Sequence, residues 1–366
     1  MENRNHNFSI GIITAGGTGS EVSDILQTVI NHVSSEYALM PQWEKFVGKP
    51  KTFWELQDRA HEKAEIEERE TQQLVAFCRD SYQKGCKTIF QTATNAGTLY
   101  QQRLHLELMK LMHLHIGSSQ IILTREQSQG FYGIDHKKET DSQIQFTCSY
   151  SKEKLYRTWD ESIQYAEKSW KDSTYSIRIV YKYHLFDLFD GWFKEYVSKR
   201  NYKDRDIELV QPDTGYDFVV TRIPKNSEKN KKLLLIVANE IGDIFTEALP
   251  NHYGIGHKAD MFAWNLSLDS QTAGQAVYQT IHGSADSIAG KHILNPFATI
   301  KAAAHILETR AGLAGIYPIC LQAITKAEHS HHITPDLGGR FSTEEVLDFV
   351  IQEMKEKHNE TCLASH

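Results

Sequence analysis

Asp243 and Glu247 stand four residues apart, directly after Gly242. On a helix that starts near that glycine both carboxylates face one side. Hard oxygen ligands of this kind suit Mg²⁺ or Mn²⁺. The same pair also reads as a helix N-terminal cap followed by a solvated carboxylate. Lys182 closes an apolar, β-rich run, Ile177 to Tyr181. A lysine there is either paired or functional, with a pKa lowered by burial, or it reaches out to the surface. By themselves, Tyr132 reads as a packing tyrosine and Arg125 as a surface salt-bridge residue. His282 to Pro296, HGSADSIAGKHILNP, is rich in glycines and small side chains that let backbone approach a flat ligand. In it His282 can stack or hydrogen-bond, and Asn295 offers both a donor and an acceptor. Gly16-Gly17-Thr18-Gly19 is a second glycine turn. It lacks the GxGxxG spacing, so a nucleotide loop and a plain tight turn both fit it.

These groups need elements to hold them. Phe8 to Thr14 is β-rich, and after the glycine turn Val22, Ile25, Leu26, Val29, Ile30 and Val33 recur at helical spacing, with Ser20 as N-cap. Thr88 to Thr94, Ile121 to Thr124, Leu233 to Val237 and Phe218 to Thr221 read as strands, and Gln145 to Tyr150 as a half-buried one. Glu55 to Gln73 reads as an exposed helix face or a loop, Thr158 to Trp170 as an amphipathic helix, and Lys225 to Lys232 as a polar turn. Leu104, Leu108, Leu111 and Met112 have the spacing of a core-facing helix. Ser342 with Glu345 makes a capping box before a last amphipathic helix. Alternating strands and helices predict an α/β protein.

Composition narrows the classes. The chain has 366 residues, 40% of them hydrophobic and 24% charged, so it can bury a sizeable core. A net charge of −7 argues against a dedicated nucleic-acid binder. Five cysteines without a CxxC pair point to a reducing compartment. A polar start and the lack of a long apolar run predict no signal peptide and no membrane span, hence a cytoplasmic protein.

The loop from His282 to Pro296 closely resembles the adenine-binding loop of the isocitrate/isopropylmalate dehydrogenases, HGSAPDIAGKxxANP. The resemblance extends in order along the chain. Gly17 to Val22 resembles that family's GxGPEV. Thr124 to Glu126, with Gly130 to Gly133, resembles RExxxGxYxG. Val180 to His184 stands in the place of VxKAN, Asn239 to Glu247 in that of NxxGDIxSD, and Thr334 to Gly339 in that of TxDLGG.

The resemblance implies an α/β isopropylmalate dehydrogenase-like fold of two domains. A large cofactor-binding domain would come from residues 1–94 and 252–366, and a smaller substrate and dimerisation domain from 95–251. It implies oxidation, followed by decarboxylation, of a malate-type 2-hydroxy acid with NAD, or with NADP, and Mg²⁺ or Mn²⁺. Tyr132 and Lys182 become the acid/base pair, and Arg125 and His184 substrate contacts. Asp213, Asp243 and Glu247 become metal ligands, and His282, Gly283, Ser284, Ala285, Ser287, Ile288 and Asn295 hold the cofactor. The family takes the lysine and one aspartate from a second chain, which implies a homodimer with shared active sites.

The pattern also breaks. Glu247 stands for an aspartate, and His184 for the asparagine after the lysine. Met109 and Ser119 fall where two substrate arginines of a segment LRKxLxLYxNxRP are expected; Arg103, His105, His113 and His115 are the nearby residues that could supply a positive charge or a donor instead. Ser287 replaces the acidic residue that favours NAD in many relatives, with Asp286 one place earlier. Such losses keep open a non-catalytic, regulatory or ligand-sensing subunit with the same fold, and they predict poor binding of isocitrate and isopropylmalate.

Overall fold

The computed structural model describes residues 7–57, 59, 61–171, 174–222, 231–254 and 261–364. In chain order its strands are β1 (Asn7–Ile13), β2 (Met40–Lys45), β3 (Thr88–Gln91), β4 (Leu108–Ile116), β5 (Ser119–Glu126), β6 (Ile134–Glu139), β7 (Ile144–Cys148), β8 (Ser176–Val180), β9 (Ile207–Val210), β10 (Lys232–Val237), β11 (Phe262–Ser267) and β12 (Ala276–Thr280). The α-helices are α1 (Gly19–Glu36), α2 (Phe53–Gln57), α3 (Lys63–Gln83), α4 (Ala96–His105), α5 (Lys152–Trp170), α6 (Asp187–Lys199), α7 (Pro212–Asp217), α8 (Asn239–Tyr253), α9 (Phe297–Thr309), α10 (Ile316–His329) and α11 (Thr343–Ala364). This is a mixed α/β protein. Among the described residues no helix is long and apolar enough to cross a membrane.

The chain divides into two compact units. The first takes the described residues of Met1–Gln102, Lys258–Trp264 and Gly274–His366; the second takes those of Arg103–His257 and Asn265–Ala273. In the first, β2, β1, β3 and β12 pair in that order, all parallel. Ile10, Ile12 and Ile13 of β1 are buried, and α1 presents Val22, Ile25, Leu26, Val29, Ile30 and Val33 to the core. Ser342 and Glu345 form the expected capping box: the Ser342 N–H donates to Glu345 Oε2 at 2.8 Å, and the Glu345 N–H to Ser342 Oγ at 3.2 Å.

In the second unit β4, β5, β10, β8 and β9 pair in that order; β4 runs antiparallel to β5 and the others are parallel. Every residue from Leu233 to Val237 of β10 is buried, as a strand covered on both faces requires. Helix α5 packs on one face of β5 and β10, and α8 packs on β4 and β5. Trp159 of α5 is fully buried against Tyr156, Tyr181, Phe193 and Tyr196. Tyr181 also packs on Phe189, and so anchors the chain where β8 gives way to Lys182.

Several local expectations are corrected. Leu108 to Ile116 is a strand, because its apolar residues find a partner in β5 and cover from helices on each face. The core-facing helix expected from Leu104 to Met112 stops at His105. Phe218 to Arg222 is a π-helical turn following α7, with Val219 buried and its carbonyl accepting from Tyr253 Oη at 2.7 Å. Tertiary burial there overrides a β-branched sequence. Strand β7 pairs only with β6 and is exposed throughout, not half-buried. The N-cap of α1 is Thr18, not Ser20, and its hydroxyl is spent on the Ser284 carbonyl. The expected polar turn lies at 225–232, of which all but the last two residues are outside the described ones.

Replacing Trp159 by alanine leaves a large hole beneath β5, β8 and β10. We expect a loss of about 3–5 kcal/mol, read as a lower midpoint in denaturant unfolding; an unchanged midpoint would show that this aromatic cluster is not the core of the second unit.

Candidate active site

The site of the second unit is built on the end of β5. Arg125 is 0% exposed, and a guanidinium in that position has to find its partners inside the protein. Helix α8 supplies them from its first two turns. Arg125 Nε and Nη2 donate to Asn239 Oδ1 at 3.1 and 2.9 Å, and Nη1 forms an ion pair with Asp243 Oδ1. Three of the five guanidinium donors are thereby engaged, and two remain for a ligand. Gly242 makes the approach feasible, since a Cβ there would lie 2.5 Å from Arg125 Cγ. Tyr132 completes the group: its hydroxyl donates to Asp243 Oδ2 at 2.9 Å, and Arg125 Cζ lies 5.5 Å from the centre of its ring. Half-burial works against the charge of Asp243, but Arg125, the Tyr132 hydroxyl and Lys110 hold its carboxyl below the usual aspartate range.

Arg125, Tyr132 and Asp243 are therefore brought together. Glu247 follows one turn later on α8 and is exposed. Asp213, on the first turn of α7, is exposed and does not join them. Among the described residues no three His, Cys, Asp or Glu side chains gather as a metal site. Lys182 is exposed after β8, not buried, and His184 is exposed beside it. Leu185, Phe186 and Leu188 next to them are exposed apolar side chains.

Lys110 was missed by the sequence reading. It lies on β4 directly opposite Arg125 of β5. Burial, then the Arg103 and Arg125 guanidinium groups, push its ammonium pKa well below the usual lysine range, against the pull of Asp243 and Glu247. Arg103 and Lys110 are both buried in the second unit. The signal was a lysine flanked on both sides by apolar residues, LMKLM; read as a helix, that phase points it away from the core. The strand also relocates Met109 and Ser119. Met109 faces α5, where its Sδ accepts from Ser162 Oγ at 3.2 Å, and Ser119 starts β5 opposite Ile116, at the far end of the strand from Arg125. His105, His113 and His115 are exposed, His113 against Tyr165 at 3.0 Å.

The site of the first unit consists of two glycine loops joined to each other. Thr18 donates its N–H and its hydroxyl to the Ser284 carbonyl, both at 2.9 Å. A Cβ on Gly17, which has φ +56°, would collide with that same carbonyl. Asp286 accepts from Thr52 Oγ1 at 2.8 Å and from Ser284 Oγ. Glu21 accepts from the Gly290 N–H. Ala285 takes the left-handed conformation and leads into the short turn Asp286–Ile288 that carries Ser287. Asn295 stands just before the N-cap of α9, its Oδ1 accepting from the Phe297 N–H at 3.0 Å, and its amide donates to Asp336 at 3.1 Å. At Gly283 and Gly290 a Cβ would meet nothing within 4 Å, so packing does not demand glycine there. His282 is partly exposed on the same loop, and His292 is tied to Glu344, which raises its pKa.

The chain is similar to known proteins in sequence and in fold. A family model described as isocitrate/isopropylmalate dehydrogenase matches residues 94–350. The isocitrate/homoisocitrate dehydrogenase of Pyrococcus horikoshii is 25% identical over 358 residues, 95% of this chain and 92% of that protein. A 3-isopropylmalate dehydrogenase of Bacillus thuringiensis is 27% identical over 242 residues, 64% of this chain; the match spans 62% of the length of that relative. Among solved structures, isocitrate dehydrogenase from Methylococcus capsulatus has a TM-score of 0.67 at 20% identity, covering 95% of this chain and 99% of its own. A beta-decarboxylating dehydrogenase from Thermococcus kodakarensis has a TM-score of 0.63 at 18% identity, covering 95% and 96%.

Gly242→Ala tests the central packing. The added methyl displaces Arg125 from α8, with a cost of about 1–3 kcal/mol from overpacking. A lower unfolding midpoint is expected, and an unchanged one would show that the arginine stem does not lie against the helix.

Proposed function

Because the chain belongs to the isocitrate/isopropylmalate dehydrogenase family, we propose that it is a nicotinamide- and metal-dependent dehydrogenase that oxidises, and then decarboxylates, a malate-type 2-hydroxy acid. The observation that carries this reading is the joining of Arg125, Tyr132 and Asp243 at the start of α8. It combines a carboxylate-binding guanidinium, a proton-bearing hydroxyl and an ionised ligand in one small volume.

The donor set fits a hard divalent cation. Asp243 is held ionised and Glu247 is the next carboxylate on the same helix. One protomer supplies two ligands, and the third is Asp213 of a second copy in our reading. Its exposure, and that of Lys182 and its apolar neighbours, supports a homodimer with shared sites. The loop from His282 to Asn295 fits a dinucleotide, with open space at Gly283 and Gly290 where a flat base can approach the backbone. When bound, the metal supplies Lewis-acid polarisation and the nicotinamide accepts the hydride.

The chain's own residues do the rest. Arg125, fixed by Asn239 and Asp243, orients a substrate carboxylate with its two remaining donors. Lys182 takes the hydroxyl proton as general base, and its exposure leaves it accessible to the site of a second copy. Tyr132, its hydroxyl held on Asp243, delivers a proton to the carbon that loses its carboxylate. Asp286 stays by its bonds to Thr52 and Ser284 and repels a 2′-phosphate, and His292 is engaged by Glu344, which leaves the exposed Lys291 as the loop cation that opposes this preference. NAD is therefore the favoured dinucleotide.

Absorbance of the reduced cofactor, followed with Mn²⁺ over malate, tartrate, isopropylmalate and isocitrate, tests this. We expect turnover of at least one acid and a lower KM for NAD than for NADP. Tyr132→Phe should lower kcat by about 10²–10⁴, and Asp243→Asn should abolish metal binding in calorimetry. Binding of acid and metal without cofactor reduction would instead establish the ligand-sensing reading.

A further inference from the structure

The second unit carries a cavity apart from Arg125 and Asp243. It lies at the end of the sheet where β8 and β9 begin, whereas Arg125 and Lys182 stand where β5 and β8 end. Its volume is about 860 Å³, within the range that takes a small organic ligand. The end of α5 supplies Glu167, Trp170 and Lys171 to its wall, and the turn before β9 supplies Asp204, Arg205 and Asp206. Trp170 is buried, and the Tyr175 ring stands 5.2 Å from it at a tilt of 55°. Lys232 stands over the Trp170 ring, with Nζ 6.0 Å from its centre.

The charges on this wall pair off, except for two. Arg205 donates from Nη2 to Glu167 Oε1 at 2.7 Å and from Nη1 to Tyr175 Oη at 3.2 Å, and its Cζ lies 4.6 Å from the centre of the Tyr202 ring. Asp206 accepts from Ser176 Oγ at 2.5 Å and pairs with Arg178 Nη1 at 2.8 Å. The Lys171 ammonium and the Asp204 carboxylate have no hydrogen-bond or ion-pair partner among the described residues, although they line the same cavity. The backbone of Lys171 is strained, with φ +33°, and such strain gathers at ligand sites. Two opposite charges that share a wall without meeting suit a ligand that carries both signs.

We propose that this cavity binds a free α-amino acid with an apolar side chain, its ammonium on Asp204, its carboxylate on Lys171 and its side chain against Trp170 and Tyr175. A lone anion satisfies Lys171 but is repelled by Asp204, and a lone cation meets the reverse conflict. A zwitterion answers both through charge-assisted hydrogen bonds, which are the stronger kind. Arg205 is held by three contacts and keeps three of its five donors, so it offers the carboxylate a second, preorganised contact. The two rings give a side chain apolar area to cover, and an aromatic side chain gains further from ring geometry. None of these residues belongs to the proposed dehydrogenase machinery, so the site does not depend on that reading.

Calorimetry on the full-length protein tests this with phenylalanine, with glycine, and with two analogues that each lack one charge, N-acetylphenylalanine and phenylalanine amide. Phenylalanine should bind at millimolar concentration or below, and glycine at least about tenfold more weakly for want of a side chain to bury. Each analogue should also bind about tenfold more weakly, the lower end for a charge-assisted hydrogen bond because both protein charges are exposed. Asp204→Asn should weaken phenylalanine by the same factor and leave N-acetylphenylalanine unchanged, since that analogue has no ammonium to lose. Lys171→Gln should likewise weaken phenylalanine and leave the amide unchanged. Exposed positions of this kind should leave the thermal midpoint of both variants at that of the wild type. If either variant fails to fold, the order of the four ligands on the wild type decides. No binding of phenylalanine, equal affinities for phenylalanine and its two analogues, or an undiminished affinity in both variants overturns the proposal.

Discussion

The second unit is organised around one buried guanidinium. Arg125 has no access to water, and a charge in that position is tolerable only when it is paired and its donors are satisfied. Asn239 and Asp243 pair the charge and engage three of its five donors, and both lie on the first turns of α8. The helix must therefore start where it does and press on β5 at Gly242, the one residue small enough to accept the arginine stem. Tyr132 is then placed by its bond to Asp243. The position of the candidate acid, the ionisation of the candidate metal ligand and the docking of α8 are consequences of the same contact.

The first unit reaches its ligand-ready shape differently. Its two glycine loops hold each other through backbone and short side-chain bonds, with the Ser284 carbonyl accepting twice from Thr18. Asp286 and Glu21 spend their charges on loop hydroxyls and a loop N–H. A loop braced in this way loses less conformational freedom when it binds. Asp286 is held in place by Thr52 and Ser284.

Much of this was legible in the sequence. The loop from His282 to Pro296, the triplet ending in Glu126, and Asn239 to Glu247 carried both the family and the residues that meet at Arg125, because each motif is contiguous and its spacing reflects local geometry. The capping box of Ser342 and Glu345 formed as written, for the same reason: its bonds span three residues. Patterns that depend on what a segment packs against fared worse. Phe218 to Arg222 has the composition of a strand, yet it coils once Val219 is buried and Tyr253 bonds its carbonyl.

Lys110 shows where the sequence stops. Apolar residues at 104, 108, 111 and 112 satisfy a helical period, and the alternation of Met112, Leu114 and Ile116 with His113 and His115 satisfies a strand. Only pairing with β5 decides between them, and that pairing joins residues whose register no local rule fixes. The decision moves Lys110 from a flank to the interior and sets it against Arg125, while Met109 turns to α5. The sequence alone thus determined the family, the α/β class and the identities of the groups that meet on α8. The tertiary structure decided which side chains stand beside them, because a shift of strand face is a long-range choice made by burial and hydrogen bonding across the sheet.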